Sequence, residues 1–175
     1  MHRLILIMNP FLKFISNFFP KKVAYAHCDI PCGIYDPHHA QMAAHTIIRM
    51  TQMLQDVNRD PSAGSGQGET KVEHDIARLT HVKEDHANLL EEELTTLESD
   101  YFKEEHYKQH PKLSEHFLNA SRLGAKARQN IDIEAAKELL EEVMQIAEIF
   151  YKTKGVEPLR VKTVYPTGGE IVLHK

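Results

Sequence analysis

The sequence predicts an all-α fold: an antiparallel, up-down four-helix bundle, led by a cysteine-bearing hook and closed by a C-terminal β-hairpin. Three observations predict it. Four stretches repeat apolar residues at helical spacing, most of the links between them are short, and the last twenty residues turn to strand-and-turn composition. A chain of 175 residues holds one domain with its own core. With 21 Lys and Arg against 25 Asp and Glu, it lacks the basic excess of a nucleic-acid binder. Two cysteines cannot make a disulfide framework.

The first 26 residues read as a leader. Arg3, Lys13, Lys21 and Lys22 are its only charges, so the remainder holds 17 basic against 25 acidic side chains. Leu4 to Met8 and Phe11 to Phe19 are apolar runs, broken by Asn9, Pro10 and Lys13. Neither run reaches the ~20 residues that span a bilayer, and none is expected in the mature form. Ala24-Tyr25-Ala26 is the small-x-small pattern of a cut site, which would leave His27 as the new N-terminus. The alternative is an amphipathic helix that stays attached. An export signal would send the protein to the periplasm or beyond; a propeptide cut by a dedicated protease would leave it in the cytoplasm.

The body, 27–154, opens on a Pro- and Gly-bearing loop, His27 to Pro37. His38 to Val57 is helical, with Ala43, Ile47, Met50 and Leu54 on one face. Asn58 to Thr70 reads as a flexible link rich in glycine. Lys71 to Ser99 is a long helix with Leu79, Val82, His86, Leu90 and Leu97 on a shared stripe. A turn at Asp100 to Lys103 follows, and Pro111 suits the first turn of a third helix running to about Gln129. Asp132 to Lys154 is the fourth, carrying Leu139, Val143, Ile146 and Phe150, with Gly155 to end it. In the extension 155–175, Leu159 to Tyr165 and Glu170 to Leu173 read as a hairpin about Pro166-Thr167-Gly168-Gly169. A lone hairpin is marginal, so it is expected to pack on the bundle or on a neighbouring subunit.

The chemistry concentrates in His27-Cys28-Asp29-Ile30-Pro31-Cys32. With His27 at a free N-terminus, five donors fall within six residues: the α-amine and imidazole of His27, the backbone nitrogen of Cys28, and the thiolates of Cys28 and Cys32. Such thiolate, amine and amidate donors favour a square-planar Ni(II) or Cu(II) ion, whereas zinc prefers four independent side chains. Cutting the leader would create the site, because an acylated nitrogen is no amine donor. Pro31 restricts the turn between the thiolates, and Gly33 lets the backbone leave without a Cβ clash. A plain Cys28–Cys32 disulfide is the alternative for this spacing.

His27 to Pro37 resembles the nickel-binding hook of nickel-containing superoxide dismutases, and Ser99-Asp100-Tyr101-Phe102-Lys103 with His106 and Pro111-Lys112-Leu113 resembles that family's downstream segment. The resemblance spans about 27–154. It implies a right-handed four-helix bundle, a homohexamer and one nickel ion per subunit. His27 would give the amine and an axial imidazole, Cys28 its thiolate and amide, and Cys32 the second thiolate. Nickel would alternate between Ni(III), with the imidazole bound, and Ni(II), with it released, as superoxide is converted to oxygen and hydrogen peroxide. Tyr35 and Tyr101 resemble the tyrosines that border the metal, and Lys103 would draw the anionic substrate. Two positions depart from the pattern: Ala43 and His86 stand where the family places a Glu and an Arg that orient the imidazole.

Three other readings compete. A di-iron carboxylate bundle needs paired Glu-x-x-His motifs, and no histidine here has Glu three residues before it. A non-enzymatic helical protein stapled by Cys28–Cys32 gives no reason for His27 at the cut. A histidine-rich nickel store does not suit scattered histidines, of which only His38 and His39 are adjacent.

Overall fold

The computed structural model describes residues 32–57 and 67–175, with side chains from Thr70 onward in the second stretch. The leader, His27, Cys28 and 58–66 therefore lie outside the described residues. Two compact units divide the chain, Met1–Cys32 and Gly33–Lys175, and the fold below is that of the second.

That fold is mostly helical. Its elements are α1 (His38–Val57), α2 (Gln67–Thr96) running into a π-helical turn (Leu97–Tyr101), α3 (Glu104–Gln109), α4 (Leu113–Gln129) and α5 (Ile133–Thr153). Strands β1 (Pro158–Lys162) and β2 (Glu170–His174) form an antiparallel two-stranded sheet. Helix α1 packs on α2 and α5, α4 on α5 and α2, so the four long helices share one core. No described helix is long and apolar enough to cross a membrane.

Helix α1 starts where the Asp36 carboxylate accepts the His38 N–H at 2.7 Å, filling one of the open donors of the first turn. It buries Ala40, Ala43, Ala44, Ile47, Ile48 and Leu54. Helix α5 has the widest apolar face, including Leu139, Val143, Ile146 and Phe150, all essentially sealed from solvent. Each such side chain contributes about 1.5–3 kcal/mol on burial. Asp132 caps α5 by accepting the Ala135 N–H at 3.0 Å.

Four details differ from the sequence expectation. Helix α2 begins at Gln67, not Lys71; one glycine costs a helix about 1 kcal/mol, which the rest of a 30-residue helix outweighs. Its buried face is Lys83, Ala87, Leu90, Leu94 and Leu97, while Val82 and His86 are only half-buried. Lys83 turns inward because its Nζ donates to the carbonyls of Ala127 (3.0 Å) and Asn130 (2.7 Å), at the negative end of α4. Burial holds that ammonium below the usual lysine range.

The third difference is at 97–109. Where a turn is expected, the chain widens into the π turn, closed by the Phe102 N–H to the Leu97 carbonyl at 2.9 Å, and then forms the short α3. The wider turn lets Phe102 enter the core against Phe117, ring centres 5.7 Å apart, while Tyr101 faces α5. The fourth is the hairpin, whose first strand stops at Lys162. Thr163 folds back instead, its N–H and hydroxyl donating to the carbonyls of Gly169 (3.0 Å) and Gly168 (2.8 Å).

The hairpin packs on α1 and α5. Fully buried Gln41 pairs with both backbone groups of Val172, donating to its carbonyl at 3.0 Å and accepting its N–H at 2.6 Å. Buried His45 bonds Thr167 Oγ1 (2.9 Å) and the Glu170 carbonyl (3.1 Å). Gly169 has φ of 80°, and a Cβ there would stand 3.3 Å from the His45 ring, so both conformation and space call for glycine. From β1, Arg160 grips Glu141 with both terminal nitrogens (2.7 and 2.8 Å) and Glu148 with Nε (2.6 Å).

Candidate functional site

The hook's described part starts at Cys32, which is exposed. Gly33 follows with φ of 73°, the left-handed turn expected on leaving the hook. Ile34 is exposed, and Tyr35 turns inward, half-buried.

Tyr35 meets Tyr101 there, ring centres 5.5 Å apart and inclined at 52°. Two candidate residues far apart in the chain are thus brought together, one by the loop before α1 and the other by the π turn. Tyr101 is the hub. Its ring lies 4.6 Å from Phe150 and 5.0 Å from Phe102, and it stacks on His106 at 5.6 Å. Its hydroxyl bonds Thr153 Oγ1 at 2.7 Å. Lys154 Nζ sits 4.7 Å above the ring and 5.5 Å from that of Phe150, a cation over two aromatic faces.

Lys103, exposed, folds its Nζ onto the Asp100 carbonyl at 2.7 Å, and its N–H donates to His106 Nδ1 at 3.1 Å. It thereby fixes the ring that stacks on Tyr101. Beneath the loop, burial, with the Asp36 carboxylate nearby, pushes the Tyr151 phenol up to about 12.

Ala43 is buried in α1 and presents no polar atom. His86 bonds the Val82 carbonyl through Nδ1 at 2.8 Å. A carbonyl only accepts, so Nδ1 carries a proton. Among the described residues no three His, Cys, Asp or Glu side chains converge as a metal site. Of the candidate ligands, Cys32 is described and His27 and Cys28 are not. Thr153 and Lys154 escape sequence reasoning, because at the end of an amphipathic helix they look like ordinary surface residues.

The sequence profile of nickel-containing superoxide dismutase matches residues 22–154. The nickel superoxide dismutase of Streptomyces coelicolor is 31 % identical over 137 residues, spanning 78 % of this chain and 95 % of that protein. That of Streptomyces seoulensis is 33 % identical over 137 residues, with the same coverage. A solved native structure of nickel superoxide dismutase superposes with a TM-score of 0.62 at 30 % identity, covering 73 % of this chain and 99 % of that one.

Proposed function

The chain belongs to the nickel-containing superoxide dismutase family, and so is an oxidoreductase acting on superoxide with nickel as its cofactor; from that premise we propose that it works through a hook created by removal of residues 1–26. The body is read as a four-helix bundle assembled as a homohexamer, with one nickel per subunit and 155–175 as an extension. A protease cutting after Ala26 would free the His27 amine. His27 would then hold the metal through that amine and its imidazole, Cys28 through its amide nitrogen and thiolate, and Cys32 through its thiolate.

The donor set fits the metal: two thiolates, an amidate and an amine are strong donors of square-planar preference. Nickel held there would supply a one-electron couple, Ni(III)/Ni(II), able to take an electron from one superoxide to give oxygen and to give one to the next, which with two protons becomes hydrogen peroxide. The anionic donors bring that couple within reach of superoxide. Tyr35 and Tyr101 border the approach to the metal, and Lys103 and Lys154 add positive charge to an acidic body to favour entry of an anion.

The observation that carries the reading is the His27-Cys28…Cys32 segment within the matched residues. The meeting of Tyr35, three residues past Cys32, with Tyr101 supports it. The test is intact mass, N-terminal sequencing and metal content of protein from its native host. A chain starting at His27 with about one nickel per subunit is expected; a nickel-free chain with a Cys28–Cys32 disulfide would refute it. In recombinant protein, one extra Ala before His27 should abolish activity, as should Cys28→Ser or Cys32→Ser.

A further inference from the structure

We propose that Thr153 is a positioning residue that holds the Tyr101 hydroxyl proton on its own Oγ1, so that Tyr101 keeps an accepting oxygen and has no donor to offer superoxide. This rests on the reading of Tyr101 as a border residue. The argument is a count of protons. Thr153 Oγ1 carries one proton and has two partners, the Phe150 carbonyl at 2.7 Å and the Tyr101 hydroxyl at 2.7 Å. The carbonyl can only accept, so giving it the threonine proton obliges Tyr101 to donate to Thr153. The reverse assignment strands the phenol proton, because the only hydrogen bond of the Tyr101 hydroxyl among the described residues is to Thr153. Both groups are partly buried, where an unpaired donor is unfavourable.

Two surroundings reinforce the direction. Lys154 Nζ, 4.7 Å above the ring, withdraws electron density and makes the phenol the better donor. The backbone N–H of Lys154 also ends on the Phe150 carbonyl at 3.2 Å, holding this last turn of α5 in place. One end of a helix therefore sets which way a tyrosine 52 residues earlier can exchange protons. Protons needed to complete hydrogen peroxide then come from a group other than Tyr101.

The test compares Thr153→Val, which keeps shape and removes the hydroxyl, with Thr153→Ser, which restores it, both in the mature nickel-loaded enzyme. Ultraviolet resonance Raman reads whether a tyrosine donates or accepts from its Fermi-doublet intensities, and subtracting the Tyr101→Phe spectrum isolates Tyr101. A donor signature is expected in wild type and Thr153→Ser and its loss in Thr153→Val. With it, kcat/KM in Thr153→Val should fall roughly fivefold, the factor one net hydrogen bond carries, and Thr153→Ser should recover it. An accepting Tyr101 in the wild type, or a Thr153→Val spectrum unchanged, would overturn the proposal. So would unchanged turnover in Thr153→Val despite the lost signature. Full activity of Tyr101→Phe as well would count instead against Tyr101 as a border of the metal.

Discussion

Replacing Gln41 with Leu should detach the C-terminal hairpin from α1 while leaving the shape of the core nearly unchanged. The carboxamide is fully buried and is the partner of both Val172 backbone groups, at 2.6 and 3.0 Å. Leucine fills a similar volume but leaves that N–H and carbonyl unpaired. Each unsatisfied buried group costs about 1–3 kcal/mol, so the two together should cost roughly 2–6 kcal/mol. At about 3 °C per kcal/mol for a chain of this size, that is a fall in Tm of roughly 6–18 °C. Urea and thermal unfolding of the full chain measure it. A second pair, with and without the substitution in a chain ending at Gly155, removes Val172 and should reduce the effect to under about 0.5 kcal/mol. A loss below that figure in the full chain, or equal losses in both backgrounds, would refute the claim that Gln41 acts by completing β2.

Acid should loosen the same hairpin. Burial lowers the His45 pKa in spite of its bond to the Glu170 carbonyl, so the folded state favours the neutral ring and its stability falls as pH drops below about 6.5, the unfolded value; His45→Gln should flatten that part of a stability–pH curve. Arg160 holds the Glu141 carboxyl below its usual range, a contribution present above pH ~4.3 and lost as pH falls through the lower folded value. Arg160→Met should cost about 1 kcal/mol at neutral pH for these partly exposed pairs, less in high salt, and chemical denaturation at two salt concentrations would show it.

Local chemistry made much of this legible. Helix α1 runs over the stretch expected from its periodicity, because Asp36-Pro37 starts it and no rival pairing intrudes. The inward turn of Lys83 was not legible: a lysine among apolar neighbours signals solvent, and only the carbonyls of Ala127 and Asn130, 44 and 47 residues on, give it a partner. The π turn depends in the same way on Phe102 finding Phe117. At the site, the hook declares itself through donors adjacent in the chain, whereas Tyr35 and Tyr101 are joined by tertiary contact and were reached only through family resemblance. Thr153 and Lys154 had no such signal, since their partner lies on another element.

The clasp between Gln41 and Val172 spans 131 residues of sequence, and this has a consequence in time. During synthesis at ~5–20 residues per second, α1 and the hook before it emerge several seconds or more before β2 exists. Throughout that interval the Gln41 carboxamide and the His45 ring have no hairpin to bond. A leader still attached over those seconds would keep the His27 amine acylated until the support of α1 is complete.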